Sequence, residues 1–201
     1  MYLLLNTSYK DNMNVLEAIK SRRSIANMKD QPVPRELIEQ VMEAGTWAPN
    51  RYLTEPWRFF VIQGNGRNEL SKVMENIVFQ SGIDLESEEG KRKLEKERKK
   101  PFRAPVIITV AAEVTENGKA LRMEELGAVY AAIQNMLLAA HGLGLATYWK
   151  TGKACYSPLM KEFFNLKEKD EILAFIYLGY ADSEKNPPHK RPLQELIKWI
   201  E

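Results

Sequence analysis

The chain has 201 residues, 44% of them hydrophobic, and its 29 Lys and Arg against 27 Asp and Glu leave a formal charge of +2. So small a balance gives no electrostatic case for a nucleic-acid or membrane partner, and the apolar content suffices for one sizeable core, so a single domain over 1–201 is expected, with 1–13 as an N-terminal extension. Cys155, the only cysteine, excludes an internal disulfide or a multi-thiolate metal site within one chain; Met1-Tyr2-Leu3-Leu4-Leu5 lacks the basic flank and length of a secretory leader, no later run reaches transmembrane length, and a soluble, cytoplasmic protein is expected.

In chain order, Val15, Leu16 and Ile19 mark the apolar face of a first helix over 14–23, which closes on Ser21-Arg22-Arg23-Ser24. Two guanidinium forks beside a hydroxyl suit a phosphoryl group through charge-assisted hydrogen bonds, but basic residues in a last turn also complement the helix macrodipole. A second helix is predicted over 34–44, with Pro34 at its first position, Leu37, Ile38, Val41 and Met42 on one face, and Gly45 past its end. Residues 47–55 read as a loop. Residues 57–63 read as a buried strand whose Gly64-Asn65-Gly66 turn hands over to a helix near Arg67 and makes no dinucleotide fingerprint.

Residues 86–100 hold only Leu94 as a large apolar side chain, and pairs such as Glu95 with Lys99 predict a solvated helix. Its basic end, Arg98-Lys99-Lys100, stands near the lone aromatic Phe102, with no stacking platform for nucleic acid. Residues 105–112, 145–150 and 171–180 are three further strands, separated by helical stretches rather than hairpins, so the fold class is α+β with a mixed sheet covered by helices. In the helix over 124–141, Leu126, Tyr130, Ile133, Leu137 and Ala140 recur at four- and three-residue steps. That spacing fits either a coiled-coil-like seam between subunits or the central helix of one core. His141 beside Gly142 suits a helix end, His189 lies among prolines, and Cys155 reads as a small buried hydrophobe, so no metal site is expected.

Four elements follow one another in a set order: Ser21-Arg22-Arg23-Ser24, the run from Ala48-Pro49-Asn50-Arg51 to Pro56-Trp57, the run from Gly142-Leu143-Gly144 to Trp149-Lys150-Thr151-Gly152, and His189-Lys190-Arg191-Pro192. In this order and spacing the chain resembles the FMN-dependent nitroreductase family, in its short single-domain branch, from about Val15 to Arg191. The resemblance implies a three-layer α/β/α homodimer whose long helices pack across the interface, with FMN between the subunits. It assigns Arg22, Arg23 and Ser24 to the FMN phosphate and ribityl chain, and Lys190 and Arg191 to closure on the phosphate. Trp47, Asn50 and Arg51 would lie in a loop reaching the flavin from the partner subunit, and Trp149, Lys150 and Thr151 along the isoalloxazine ring.

The activity implied is ping-pong reduction of a small-molecule acceptor, nitroaromatic or quinone, with NADH or NADPH delivering hydride to flavin N5 and no catalytic side chain required. Leu53-Thr54-Glu55 stands where many relatives have Asn-x-Gln, and Ala26 replaces a common basic residue; both changes count against nitroaromatic reduction, and Leu53 and Glu55 favour quinones as acceptors. The alternatives are an FMN enzyme of the same fold with another redox task, such as dehydrogenation or dehalogenation, and a non-catalytic flavin-binding protein.

Overall fold

The structure, a computed structural model, describes residues 13–115 and 119–201. The first helix, α1 (Val15–Ser21), opens on a capping box in which Asn14 Oδ1 accepts from Glu17 N at 3.0 Å and Glu17 Oε2 accepts from Asn14 N at 3.1 Å. It ends two residues before the expected Arg23, because Arg22 turns to an extended ψ of 133°. Its expected apolar face is not covered by the described residues: Val15, Leu16 and Ile19 are 65%, 62% and 52% exposed, and of α1 only Ala18 is buried.

The second helix, α2 (Arg35–Thr46), runs through Gly45 instead of stopping before it. A Cβ on Gly45 would lie 2.9 Å from Met136 Cγ, so this glycine serves close approach to a neighbouring helix rather than a helix end. Strand β1 (Trp57–Gln63) has the expected bounds, followed by α3 (Gly66–Phe79), the polar α4 (Glu88–Lys99), β2 (Val106–Ala112) and α5 (Arg122–Gly142). Then come β3 (Ala146–Lys150), the short α6 (Pro158–Phe163) and β4 (Glu171–Gly179). Along α4 only Gly90 is buried, and the expected Glu95–Lys99 pair forms at 2.6 Å.

The strands lie in the order β1-β2-β4-β3, each neighbouring pair antiparallel. A parallel element comes from outside the named strands, where Ser24 bridges to Thr147 on the free edge of β3. Alternation along β2 explains the layers. Val106, Ile108, Val110 and Ala112 enter one core with Leu37, Ile38 and Val41 of α2 and Val129, Ile133 and Met136 of α5, while Ile107 and Ala111 enter a second with Leu70 and Met74 of α3 and Met160 of α6. The sheet is thus sandwiched between helices.

The register of β2 on β4 shifts between Val110 and Ala111, which pair with Ala174 and Ile172 and leave Leu173 as an extra residue. Two buried carboxylates pin the chain leaving β2: Asp170 accepts from Val114 N at 3.2 Å, and Glu125 accepts from Thr115 N and Oγ1 at 2.9 and 2.7 Å.

Helix α5 answers the alternative left open by its spacing. Ile133 and Leu137, 0% and 4% exposed, lie in the core of the chain itself, and Ala140 is equally buried; only Tyr130 of that stripe is exposed, at 45%. The stripe is therefore an intrachain core face rather than a seam between subunits. Truncating Ile133→Ala should lower unfolding free energy by about 2–5 kcal/mol, as for other large-to-small core changes, measured by urea denaturation. A loss under about 1 kcal/mol would contradict this burial.

Candidate functional site

Three elements converge beside the edge of β3. Ile25 N donates to Thr147 O at 2.9 Å next to the Ser24–Thr147 bridge, so the backbone after α1 is laid along that strand. The C-terminal end of α5 enters from one side and residues 181–185 from the other. They enclose a cavity of about 360 Å³ lined by Arg22, Arg23, His141, Thr147, Glu184 and Lys185 among others.

The two arginines have different jobs. Arg23 folds back so that Nη1 donates to Lys20 O at 2.7 Å and to Arg22 O at 2.9 Å, capping the last carbonyls of α1. This is the structural role the sequence left open for a basic residue in a last turn. Arg22 has no side-chain hydrogen bond or ion pair among the described residues, although it is half-buried and lines the cavity. Desolvation, and after it repulsion from Arg23, hold its guanidinium below the ordinary value. A half-buried cation beside another cation, with no carboxylate on it among the described residues, has the chemistry to accept an anion.

Lys185 Nζ donates to Ser24 O at 3.3 Å, which brings a third cation to the same wall. Ser21 Oγ donates to Glu17 O at 2.6 Å and lies 2.8 Å from His141 Nε2, fastening the end of α1 to the end of α5.

The other residues singled out by sequence lie elsewhere. Trp149 and Lys150 continue along β3 from Thr147, and Thr151 follows, exposed, before Gly152, whose φ of 139° is costly for a side chain. Trp149 stacks on Tyr130 of α5 with centroids 5.9 Å apart, and its Nε1 donates to the carbonyl of the extra residue Leu173 at 3.4 Å. Trp47 is 80% exposed. Asn50 is occupied within its own loop, with Nδ2 donating to Ala48 O at 3.3 Å and Oδ1 accepting from Glu55 N at 3.0 Å.

Arg51 pairs with Glu124 at 2.5 Å and lies over the Tyr52 ring, 4.9 Å from its centroid. That hydrogen bond with the carboxylate raises the Arg51 pKa and lowers that of Glu124. Tyr52, Leu53 and Glu55 all have positive φ, at 60°, 50° and 46°, so this loop stores backbone strain. Lys190 and Arg191 are exposed and do not line the cavity; the nearer lysine is Lys185.

Sequence reasoning missed Lys185 and dismissed His141. Lys185 lies five residues before the terminal basic pair, in a stretch without periodicity. A signal for His141 was available: it stands in the last turn of α5, directly before Gly142-Leu143-Gly144, the start of one of the four ordered elements. Among the described residues no group of three His, Cys, Asp or Glu side chains could hold a metal ion. Burial pushes the Cys155 thiol up to about 11, which leaves it a poor nucleophile. No helix among the described residues is long and apolar enough to cross a membrane.

A sequence profile of the Nitroreductase family matches residues 19–180, from within α1 to just past β4. The chain belongs to the Nitroreductase family. Within that family it is similar to YdjA of Escherichia coli (strain K12), provisionally named an NAD(P)H nitroreductase, with 36% identity over 184 residues that cover 90% of this chain and 97% of the relative. A nitroreductase-like family protein from Bacillus cereus superposes with a TM-score of 0.82 at 28% identity, covering 94% of this chain and 97% of the other. A structure from Desulfovibrio desulfuricans, described provisionally as a nitroreductase in complex with FMN, superposes with a TM-score of 0.70 at 26% identity, covering 94% and 98%. The α+β architecture is that of nitroreductases, and membership makes the chain an oxidoreductase.

Proposed function

We propose that the chain is an FMN-dependent NAD(P)H oxidoreductase that works as a homodimer and reduces small oxidised acceptors of quinone or nitroaromatic type. The observation that carries this reading is Arg22: an unpaired, half-buried cation flanked by Arg23 and Lys185 on a cavity wall fits a phosphate monoester. From Thr147, beside that wall, to Thr151 is about 13 Å of extended strand, room for a phosphorylated chain at one end and a flat ring at the other. Arg22 would hold the phosphate, with Arg23 and Lys185 adding charge. Ser24 and Thr147 would flank the ribityl chain, and backbone N–H groups near Lys150 and Thr151 would address the ring edge. Lys190 and Arg191 would reach the phosphate by a swing of the exposed segment that carries them. The bound flavin supplies hydride exchange, so the side chains need only bind, orient and exclude water.

The homodimer reading rests on what the described residues of the single chain leave bare. Val15, Leu16 and Ile19 on α1, Tyr130 on α5, and Leu193, Leu196, Ile197, Trp199 and Ile200 near the C-terminus are all at least 42% exposed. Geometry adds a second argument. His141 lies seventeen residues beyond Glu124 on α5, about 26 Å along its axis, so Arg51, fixed to Glu124, stands far from the phosphate wall of its own chain. A two-fold axis setting α5 antiparallel to its copy would carry the partner subunit's Arg51 toward that wall.

Three measurements test the reading. Arg22→Ala should weaken FMN binding in a flavin titration by about 10- to 150-fold, the loss of one charge-assisted contact worth about 1.5–3 kcal/mol; unchanged affinity would remove the phosphate assignment. Sedimentation should find a dimer, and truncation before Leu193 should weaken it; a monomeric wild type that holds FMN would refute the shared site. Anaerobic NADH or NADPH should bleach the bound flavin, an added quinone should restore its colour, and double-reciprocal plots should run parallel. A flavin that stays oxidised with both donors would leave a storage protein, and product analysis would separate quinone reduction from dehydrogenation or dehalogenation.

A further inference from the structure

One ion pair fastens the strained loop of residues 50–55 to the first turn of α5. Arg51 Nη1 donates to Glu124 Oε1 at 2.5 Å, and among the described residues no other side-chain hydrogen bond joins that loop to the helix. Glu124 is itself held at its second oxygen, where Oε2 accepts from Leu121 N at 3.2 Å. Its neighbours are committed elsewhere: Arg122 donates to Glu171 at 2.6 Å, and the buried Glu125 accepts from Thr115. The Glu124 carboxylate therefore offers Arg51 a fixed point. The bond uses one nitrogen of the guanidinium fork, and the side chain, 57% exposed over the Tyr52 ring, keeps further donors for a ligand. Directly after Arg51, positive φ at Tyr52, Leu53 and Glu55 gives the loop a shape that a free peptide would not hold.

We propose that Glu124 is a positioning residue for flavin binding: by holding Arg51 it fixes the strained loop and aims the rest of the guanidinium at the phosphate of FMN on the cationic wall of the partner subunit. The inference rests on the flavin and homodimer readings and adds to them a carboxylate that touches neither cofactor nor acceptor. Two effects of Glu124 oppose each other. Its charge partly cancels that of Arg51, and losing it would by itself strengthen the pull on an anion. That gain is small, because the pair is exposed and screened by water and salt. Its hydrogen bond, by contrast, resists the relaxation of three strained residues, and once it is gone the loop can carry Arg51 away from the ligand altogether. Positioning outweighs neutralisation, so losing Glu124 weakens the grip on FMN. Riboflavin lacks the phosphoryl group and is indifferent to where Arg51 points. No covalent step is involved.

Flavin titrations of the full chain with FMN and with riboflavin test this in a double-mutant cycle. Arg51→Ala should weaken FMN binding about tenfold or more, the low end of what a hydrogen bond to a charged group is worth. Glu124→Ala should weaken it about fivefold or more, and R51A/E124A should bind no more weakly than R51A, since the carboxylate acts only through the guanidinium. Riboflavin affinity should stay within about twofold of wild type in all three. Glu124→Gln keeps the helix cap and an acceptor but removes the charge, and should lose about threefold for FMN alone; it keeps the test decisive if E124A fails to fold. The assignment is overturned if E124A or E124Q binds FMN as tightly as wild type or more tightly, if riboflavin affinity falls in step with that for FMN, or if the losses of R51A and E124A multiply in the double variant. No FMN binding by wild type would be a different failure, of the flavin reading itself, and a monomeric wild type that binds FMN would remove the shared site.

Discussion

The site depends on how the end of α1 is neutralised. A helix that ends on two arginines could spend both on its own carbonyls, and then nothing would remain for a ligand. Here Arg23 alone takes the carbonyls, at Lys20 and Arg22. The chain is then extended at Arg22 and tied to β3 through Ser24 and Ile25 at Thr147, which sets the backbone from which the Arg22 side chain lines the cavity. Desolvation and the adjacent cation make its position unfavourable in isolation. Backbone hydrogen bonding of Ser24 and Ile25 to the strand edge holds the segment in place against that cost.

The strained loop follows the same logic with different materials. Positive φ at Tyr52, Leu53 and Glu55 would relax in a free peptide. It persists because Asn50 spans the loop from Ala48 O to Glu55 N, Arg51 is gripped by Glu124, and Glu113 N donates to Pro56 O at 2.7 Å as the chain enters β1. Asn50 and Arg51 thus fix the backbone that displays Leu53, which is 82% exposed.

Much of this architecture was legible in the sequence because burial leaves a pattern. The apolar runs at 57–63 and 106–112 became strands at or within one residue of their predicted bounds, and the sparse apolar content around Leu94 correctly marked a solvated helix. The failures share a cause: one residue type serves two ends. Gly45 has the composition of a helix stop, yet its missing side chain admits Met136. Ile133 and Leu137 have the spacing of a seam, but spacing does not say which neighbour covers it, and here they lie in a core built with α2 and the sheet. Val15, Leu16 and Ile19 have the spacing of a covered face that the described residues leave bare. Near the cavity, Arg22, Arg23 and Ser24 are already adjacent in the sequence, whereas Lys185 joins them only through folding. Lys190 and Arg191 carry the family's motif, but one-dimensional order places no side chain in a cavity.

The extra residue in β4 has a consequence for how the chain can vary. Before the irregularity Ile172 faces the second core; Leu173 and Ala174 both face the first, and alternation resumes at Phe175. Removing one residue elsewhere in this strand would exchange the two faces of everything beyond it, putting side chains shaped for one core into the other. Removing one at Leu173 would only straighten the strand, withdrawing the carbonyl that receives the Trp149 indole. The central strand can therefore change length at one point without turning the protein inside out, and relatives that lack the residue should fill the place of Trp149 with a side chain that has nothing to donate.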